Sequence, residues 1–136
     1  MSWISKILAK ITGEITDDFL ETLLDGMKLA FKFMSDYRKN IEGYEANLLF
    51  QTRDGTVEAA AMFKDGKMKV DHGVIDDWDV RIIFTTPKDL RDFLFSKDQD
   101  IINSLMKNAV DVDGNVNHIY KFGFLAKDLL QRLHLA

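Results

Sequence analysis

The sequence predicts an α+β domain, because two kinds of hydrophobic spacing occupy separate blocks of the chain. In residues 44–84, apolar and polar side chains alternate with a period of two, which is typical of strands with one buried face. On both sides of this block, apolar residues recur with the 3.6-residue period of helices. Two Asp-Gly pairs, Asp54-Gly55 and Asp65-Gly66, divide the strand block and are typical of tight hairpins.

The N-terminal segment is predicted to form a short amphipathic helix, with Lys6 and Lys10 on its polar side. Its apolar positions are Trp3, Ile4, Ile7, Leu8 and Ile11. Such a helix can lie on a membrane surface, or it can dock on its own domain or on a second copy. Two lysines are few for binding anionic lipid. The sequence therefore favours docking on protein over binding to a membrane surface.

A second helix is predicted after Gly13, with Thr16 as its N-cap residue and two aspartates in its first turn. From Phe19 to Tyr37, apolar residues keep the 3.6-residue period for about five turns. This spacing predicts one long helix with a single broad buried face. Residues 40–43 are predicted to form the turn that leads out of it.

Three alternating runs joined by the two Asp-Gly turns predict an antiparallel meander, and a fourth strand follows at Val80, Ile82 and Phe84. The predicted inward side chains of the meander are Ala46, Leu48, Phe50, Val57, Ala59, Ala61, Phe63, Met68, Val70 and His72. The opposite face mixes charged residues with the apolar residues Leu49, Ala60, Met62 and Ile83. One face therefore needs a full helical cover, whereas the other is predicted to be only partly solvated.

The remaining chain predicts two short helices, a strand and a last helix. Thr86-Pro87-Lys88-Asp89 supplies a cap, a proline at the first helical position and an acid in the first turn. A second short helix opens with capping-box spacing at residues 96–99 and ends near Asn108. A strand at 110–112 then leads into residues 116–135, which are apolar around much of a helix and contain Gly123. Such a helix needs cover on more than one side, by protein, by a partner or by a bound apolar molecule.

Composition excludes several classes of protein. The 136 residues fit one compact domain, and the absence of cysteine excludes disulfides, a thiol nucleophile and a zinc-thiolate site and favours a reducing, cytoplasmic location. The net charge of −4, without a clustered basic surface, argues against nucleic acid as a partner. No run reaches the roughly 18 apolar residues that a membrane span requires, and the start does not resemble a signal peptide.

The sequence predicts no catalytic residue, no cofactor and no metal site. His72, His118 and His134 fall in three different elements, without an acidic or nucleophilic partner at a recognisable spacing. The run from Asp111 to Asn115 is similar to the start of a calcium loop, but Val116 replaces the required glycine and Phe122 replaces the glutamate. Three aspartates at positions 76, 77 and 79 could hold a cation, yet such loops are more often solvated turns.

From about Leu48 to Leu133, these elements resemble the sterol carrier protein 2 domain. The resemblance rests on the fourth strand with its proline-capped helix, the short helix at 100–107, the strand at 109–113 and the apolar last helix. It implies a curved, five-stranded, mostly antiparallel sheet with helices packed on one face, and an apolar tunnel that holds fatty acyl chains, sterols or other lipids. Residues 41–136 would form this domain and residues 1–40 a helical extension, within a single compact unit.

The function that follows is a non-enzymatic binding or carrier domain for an apolar small molecule. We expect the sheet, the short helices and the last helix to contribute the tunnel wall, although each of these residues could equally be plain core. The predicted wall residues are Phe63, Met68, Phe84, Phe93, Leu94, Leu105, Met106, Ile119, Phe122 and Phe124.

Two other functions stay open on the sequence. In one, the protein is an interaction subunit with a packed interior, and its N-terminal helix mediates homodimerisation or recruits a partner enzyme. In the other, Trp3 and Ile7 dock the protein on a membrane surface while lipid enters the domain.

Overall fold

The computed structural model describes residues 17–95 and 110–133 of the chain. The N-terminal amphipathic helix, the Thr16 cap, the short helix predicted at 96–108 and His134 lie outside the described residues. Within the described ranges, no helix combines the length and the hydropathy needed to cross a membrane.

The described residues form helices and strands in the order that the sequence predicts. The elements are α1 (Phe19–Phe33), α2 (Ser35–Arg38), a 3-10 turn (Lys39–Ile41), β1 (Ala46–Thr52), β2 (Glu58–Lys64), β3 (Lys67–Asp71), β4 (Val80–Phe84), α3 (Pro87–Phe95), β5 (Val110–Gly114) and α4 (Asn117–Arg132).

The five strands form one open sheet in the order β3-β2-β1-β4-β5. The pairs β1–β2, β2–β3 and β4–β5 are antiparallel, which confirms the predicted meander and the mostly antiparallel sheet. The pair β1–β4 is parallel, with Leu48 opposite Val80 and Thr52 opposite Phe84. The pairing is parallel because residues 72–79 lead from the C-terminal end of β3 back to the N-terminal end of β1, where the backbone nitrogen of Asp79 donates to the carbonyl oxygen of Asn47 at 2.8 Å. The division into a helical extension at residues 1–40 and a domain at residues 41–136 stays a prediction.

The two Asp-Gly turns differ in geometry. Asp65 and Gly66 both have positive φ angles, of 54° and 70°, as a two-residue type I′ hairpin requires. The first turn is longer, and there Asp54 Oδ1 accepts hydrogen bonds from the backbone nitrogen of Thr56 at 3.0 Å and from its hydroxyl at 2.8 Å. Each turn fixes the register of the strands that it joins.

Helix α1 ends earlier than the sequence predicts. The apolar period runs to Tyr37, but the helix stops at Phe33 because Met34 is extended, with φ −114° and ψ 96°. The Arg38 guanidinium donates hydrogen bonds to the carbonyl oxygens of Phe31 and Lys32, at 3.2 and 3.3 Å, and so satisfies the end of the helix. The break also allows the Tyr37 ring to stack on Phe31, with 4.3 Å between ring centroids. The prediction of one continuous helix is therefore wrong at this point.

Helix α3 begins with the predicted cap at Thr86, and the hydrogen bonds there are those of a capping box. The backbone nitrogen of Asp89 donates to the hydroxyl of Thr86 at 3.2 Å, and the backbone nitrogen of Thr86 donates to the Asp89 carboxylate at 3.1 Å. Pro87 occupies the first helical position, where its missing N–H costs no hydrogen bond. The cap fixes where α3 starts, directly after β4.

The core lies on one side of the sheet, which we call the inner face. Inward residues of all five strands share one buried cluster with residues of α1, α3 and α4. The inner-face residues of that cluster are Ala46, Leu48, Phe50, Ala59, Ala61, Phe63, Met68, Val80, Ile82, Phe84 and Val110. Helical cover over one face is thus present, as the alternation of the strands predicts.

Candidate apolar binding site

The inner face and helices α3 and α4 bring most of the predicted wall residues together. Seven of the ten belong to the same buried cluster, and none of the seven is more than 7% exposed. They are Phe63, Met68, Phe84, Phe93, Leu94, Ile119 and Phe122. Leu105 and Met106 lie outside the described residues.

Phe124 lies apart from this group, because α4 has two separate apolar stripes. The buried stripe contains Ile119, Phe122, Leu125, Ala126, Leu129 and Leu130. Phe124 lies on the other stripe, four residues after Tyr120 and eight after Val116, and these three side chains are 40% to 50% exposed. The Lys121 ammonium lies 5.9 Å from the centroid of the Phe124 ring. The wide apolar surface that the sequence predicts for the last helix thus consists of one buried face and one exposed face.

Aromatic contacts join the helices to the sheet across the core. The Phe31 ring of α1 meets the Phe63 ring edge-on, with centroids 6.2 Å apart. The Phe122 ring of α4 lies 4.9 Å from that of Phe50 on β1. The sequence predicts that Phe31 and Phe50 lie on buried faces, but the predicted wall does not include them. Their position on the inward stripe and the inward strand face is a signal that could have included them.

A polar pair lies at the start of α4. The hydroxyl of Tyr44 and Nδ1 of His118 are 2.8 Å apart, and the Lys121 ammonium lies 5.4 Å from the Tyr44 ring centroid. Partial burial, together with the nearby Asp79 carboxylate, raises the pKa of Tyr44 to about 12. The tyrosine therefore stays protonated at neutral pH and acts as a hydrogen-bonding group.

The buried polar side chains of the core form hydrogen bonds within the protein. The buried Tyr37 hydroxyl donates to the carbonyl oxygen of Leu125 at 2.7 Å, and its burial raises the pKa of the phenol well above the ordinary value. The hydroxyl of Thr52 accepts a hydrogen bond from the backbone nitrogen of Val57 at 3.0 Å. In residues 17–95 and 110–133, no buried side-chain nitrogen or oxygen lacks a partner. The described interior therefore offers apolar contact alone.

Three of the acidic residues considered as cation ligands, Asp79, Asp111 and Asp113, bind groups of the protein. Asp111 pairs with Arg53 at 2.6 Å, and Asp113 pairs with Arg81. The Asp79 carboxylate accepts a hydrogen bond from the backbone nitrogen of Asn47 at 2.6 Å. Among the described residues, no three histidine or acidic side chains are placed to hold a metal ion.

The two described histidines also have structural partners. His72 lies between Glu21 and Asp25 of α1, at 3.4 and 3.3 Å, and its side chain is about half exposed. His118 is half-buried beside Tyr44. The contacts are two carboxylates for His72 and a tyrosine hydroxyl for His118. This agrees with the expectation of surface or half-buried side chains.

No protein-family model and no curated protein matches the sequence. Solved structures with the same fold do match. UbiJ-SCP2, a ubiquinone synthesis protein, is 17% identical, with a TM-score of 0.57 over 80% of this chain and 96% of that chain. Sterol carrier protein 2 from Yarrowia lipolytica is 15% identical, with a TM-score of 0.59 over 84% and 94%. Palmitated SCP2L2 from Aedes aegypti is 16% identical, with a TM-score of 0.52 over 79% and 93%.

A similar structure also occurs inside an enzyme. The sec-alkylsulfatase Pisa1 from Pseudomonas sp. is 18% identical, with a TM-score of 0.59 over 83% of this chain, but the match covers 16% of the sulfatase. A fold shared by carriers and by part of an enzyme does not decide function, which has to be argued from the site. The fold that the resemblance implied is confirmed: the chain has the fold of the sterol carrier protein 2 domain.

Proposed function

We propose that the protein is a non-enzymatic binding or carrier domain for an apolar small molecule, such as a fatty acyl chain or a sterol. The observation that carries the proposal is the apolar inner face beneath the helices, in which every described buried polar side-chain atom has a partner. The palmitated state of SCP2L2, which has the same fold, supports the choice of an acyl chain. A cytoplasmic location stays part of this proposal.

The proposed tunnel lies between the inner face and helices α3 and α4. Phe63, Met68 and Phe84 would contribute its floor, and the helical residues its roof. The roof residues are Phe93, Leu94, Ile119 and Phe122. Leu105 and Met106 stay predicted wall residues, whereas the exposed Phe124 is left out of the proposed wall.

Binding by burial alone makes affinity depend on chain length. Each enclosed methylene contributes about 0.8 kcal/mol, so two further methylenes should tighten binding by roughly tenfold. This dependence should continue until the chain fills the tunnel. We therefore expect a saturated fatty acid series from 10 to 16 carbons, tested by displacement of a fluorescent fatty acid, to show progressively tighter binding (about 1.5 kcal/mol per two carbons).

The direct test is native mass spectrometry of protein purified from cells, followed by organic extraction and lipid analysis. We expect a bound species that organic solvent releases as a fatty acid, a sterol or another lipid. Protein that consistently carries no lipid, and that binds no fluorescent fatty acid, would contradict the carrier function.

A substitution at the proposed wall separates a tunnel from a solid core. Ile119→Phe adds volume on the buried face of α4, where Ile119 is 3% exposed. If the residue lines a tunnel, probe affinity should fall at least tenfold with little loss of stability. In a solid core, the same change should cost about 1–3 kcal/mol of unfolding free energy. Tyr120→Phe, one residue away on the exposed face, is the matched control and should change neither quantity.

A second candidate function is an interaction subunit with a packed interior. It is favoured by the exposed stripe of Val116, Tyr120 and Phe124, because protein surfaces that bind partners commonly expose contiguous apolar side chains. Homodimerisation belongs to this alternative, whereas membrane docking through Trp3 and Ile7 would accompany a domain that lipid enters. It predicts that no lipid copurifies and that Ile119→Phe lowers stability, so the two experiments above distinguish it from the carrier.

A further inference from the structure

Three polar side chains border the proposed apolar site at the N-terminal end of α4. They are Tyr44, His118 and Lys121, which we call the polar cluster. The Tyr44 ring packs against the floor residue Phe63, with 5.3 Å between ring centroids. His118 and Lys121 each directly precede a buried roof residue of α4. All three residues of the cluster are half-buried, so the cluster lies at the rim of the site, between solvent and the apolar wall.

The pair of Tyr44 and His118 keeps a hydrogen-bond donor in either arrangement of its protons. If the Tyr44 hydroxyl donates to Nδ1 of His118 across the 2.8 Å that separate them, the neutral imidazole carries its proton on Nε2, which can donate elsewhere. If Nδ1 donates to the tyrosine oxygen instead, the hydroxyl proton of Tyr44 is left to donate. The pair can therefore always donate a hydrogen bond to a third group.

The ammonium of Lys121 contributes positive charge to the cluster. In the described structure it contacts two aromatic rings, those of Tyr44 and Phe124, at 5.4 and 5.9 Å from the ring centroids. None of the ion pairs among residues 17–95 and 110–133 includes it. Farther along α4, by contrast, the Arg132 guanidinium pairs with Asp128 at 3.1 Å. Lys121 is thus a cation whose charge is available to a ligand.

The acidic group that acts on Tyr44 does not use this charge. The carboxylate of Asp79 contributes to the raised pKa of Tyr44. However, it accepts a hydrogen bond from the backbone nitrogen of Asn47 at 2.6 Å, which holds it at the start of β1. The cluster therefore combines several hydrogen-bond donors with an unpaired positive charge.

We propose that the polar cluster binds the polar end of the ligand, and that this end is a carboxylate. The proposal rests on the carrier function proposed above and narrows its ligand to a free fatty acid. A carboxylate only accepts hydrogen bonds, and its bonds to an ammonium are charge-assisted, so it matches the cluster in both respects. The hydroxyl of a sterol or the carbonyl of an ester would leave the charge of Lys121 without a partner.

The interior could not hold the same carboxylate. Burial of an ionised group is costly unless it is paired and hydrogen-bonded. The buried polar side chains of the described core, such as Tyr37 and Thr52, already bind within the protein. The charged end of a fatty acid would therefore stay at the rim, while the chain extends over the inner face.

Two ligands of equal chain length test the proposal. Dodecanoic acid and dodecan-1-ol differ at the polar end, and isothermal titration calorimetry measures the affinity of each. Lys121→Met removes the ammonium and keeps an unbranched side chain. We expect the ratio of acid affinity to alcohol affinity to fall about tenfold in this variant, because a hydrogen bond to a charged group is lost. The comparison of ratios cancels the different solvation of the two free ligands.

Lys32→Met is the matched control. Lys32 is exposed at the end of α1, and its ammonium also lies over an aromatic ring, 5.5 Å from the centroid of Phe33. This variant should keep the ratio of the parent. An unchanged ratio in Lys121→Met would overturn the carboxylate site, although binding of both ligands would still support the carrier function. If neither ligand bound the parent, the carrier function would fail together with the carboxylate site.

A second measurement uses the parent chain, so it decides the question even if Lys121→Met does not fold. Stearic acid is added with a nitroxide either at carbon 5, near the carboxylate, or at carbon 16, near the methyl end. We expect the label at carbon 5 to broaden the amide signals of residue 44 and residues 118–121 more than the label at carbon 16 does. Equal broadening, or stronger broadening from carbon 16, would overturn the proposal.

Discussion

The hydroxyl of Tyr37 donates a hydrogen bond to the backbone carbonyl oxygen of Leu125 over 2.7 Å, which joins the segment after α1 to the middle of α4. The Tyr37 ring is completely buried, stacks on Phe31 and lies 5.7 Å from the Arg132 guanidinium. This single side chain thus connects helices that are far apart in the sequence and that pack over the same core. The early end of α1 at Phe33 is what allows it to do so.

Removing the Tyr37 hydroxyl should destabilise the fold. Tyr37→Phe keeps the ring stack but loses the buried hydrogen bond, and we expect the free energy of unfolding to fall by about 1–2 kcal/mol. Urea unfolding followed by circular dichroism measures this change. Tyr120→Phe removes a hydroxyl from a side chain that is 47% exposed and should stay within about 0.5 kcal/mol of the parent. Equal stability of the two variants would show that the Tyr37–Leu125 hydrogen bond contributes nothing net.

Two glycines should respond to alanine in opposite directions. A Cβ added at Gly123, inside α4, would meet no atom within 4 Å, so Gly123→Ala should stabilise the protein by about 1 kcal/mol through helix propensity. A Cβ at Gly114 would lie 2.3 Å from the carbonyl oxygen of Asp79, and this glycine has a φ of +98°. Gly114→Ala should therefore cost roughly 2 kcal/mol or more. Thermal unfolding of both variants checks the pair, and a loss of stability in Gly123→Ala would contradict the open space beside α4.

Much of the fold could be predicted because the turn, cap and alternation patterns of neighbouring residues agree with the observed burial. The Asp65-Gly66 turn, the alternation of β1 and β2 and the capping box at Thr86 are each specified by residues close in sequence. The parallel pairing of β1 and β4 was not predicted, because it depends on where the chain crosses after β3. The spacing of apolar residues along the chain contains no information on that crossing.

The candidate site was predicted less completely, because helix orientation and contacts between distant residues decide which side chains line it. Ile119 and Phe124 are both apolar and lie on the same helix, yet only Ile119 points into the core, because the orientation of α4 decides which apolar stripe is buried. The break after Phe33 was missed because it results from a contact between Arg38 and carbonyl oxygens seven and six residues earlier. A lipid wall and a solid core also require the same residue types, which sequence cannot separate.

Stability should fall at alkaline pH through Tyr44. Burial raises its pKa from 10.0 to about 12 in the folded protein, so the folded state holds the proton more tightly than the unfolded chain does. The resulting stability is fully present below pH 10 and is lost as the pH rises toward 12. Tyr37, whose pKa is also raised by burial, adds to this loss. Unfolding free energies measured from pH 8 to pH 12 should decline less steeply in Tyr44→Phe than in the parent, and parallel declines would contradict the assignment.

The capping box of α3 should influence both stability and lipid binding. Thr86→Ala removes the hydroxyl that accepts from the backbone nitrogen of Asp89, and we expect a loss of about 1 kcal/mol. Because α3 positions Phe93 and Leu94 over the inner face, fraying of its first turn should also weaken binding of a fluorescent fatty acid by several-fold. Urea unfolding and probe titration measure the two effects.

Lys88→Ala is the matched control for this prediction. Lys88 is exposed in the same first turn, and the capping box is formed by Thr86 and Asp89. It should leave stability and probe affinity close to those of the parent. If Thr86→Ala loses stability but binds the probe as tightly as Lys88→Ala does, α3 holds the fold together without contributing to the wall. Phe93 and Leu94 would then be plain core, and the tunnel would have to lie closer to α4.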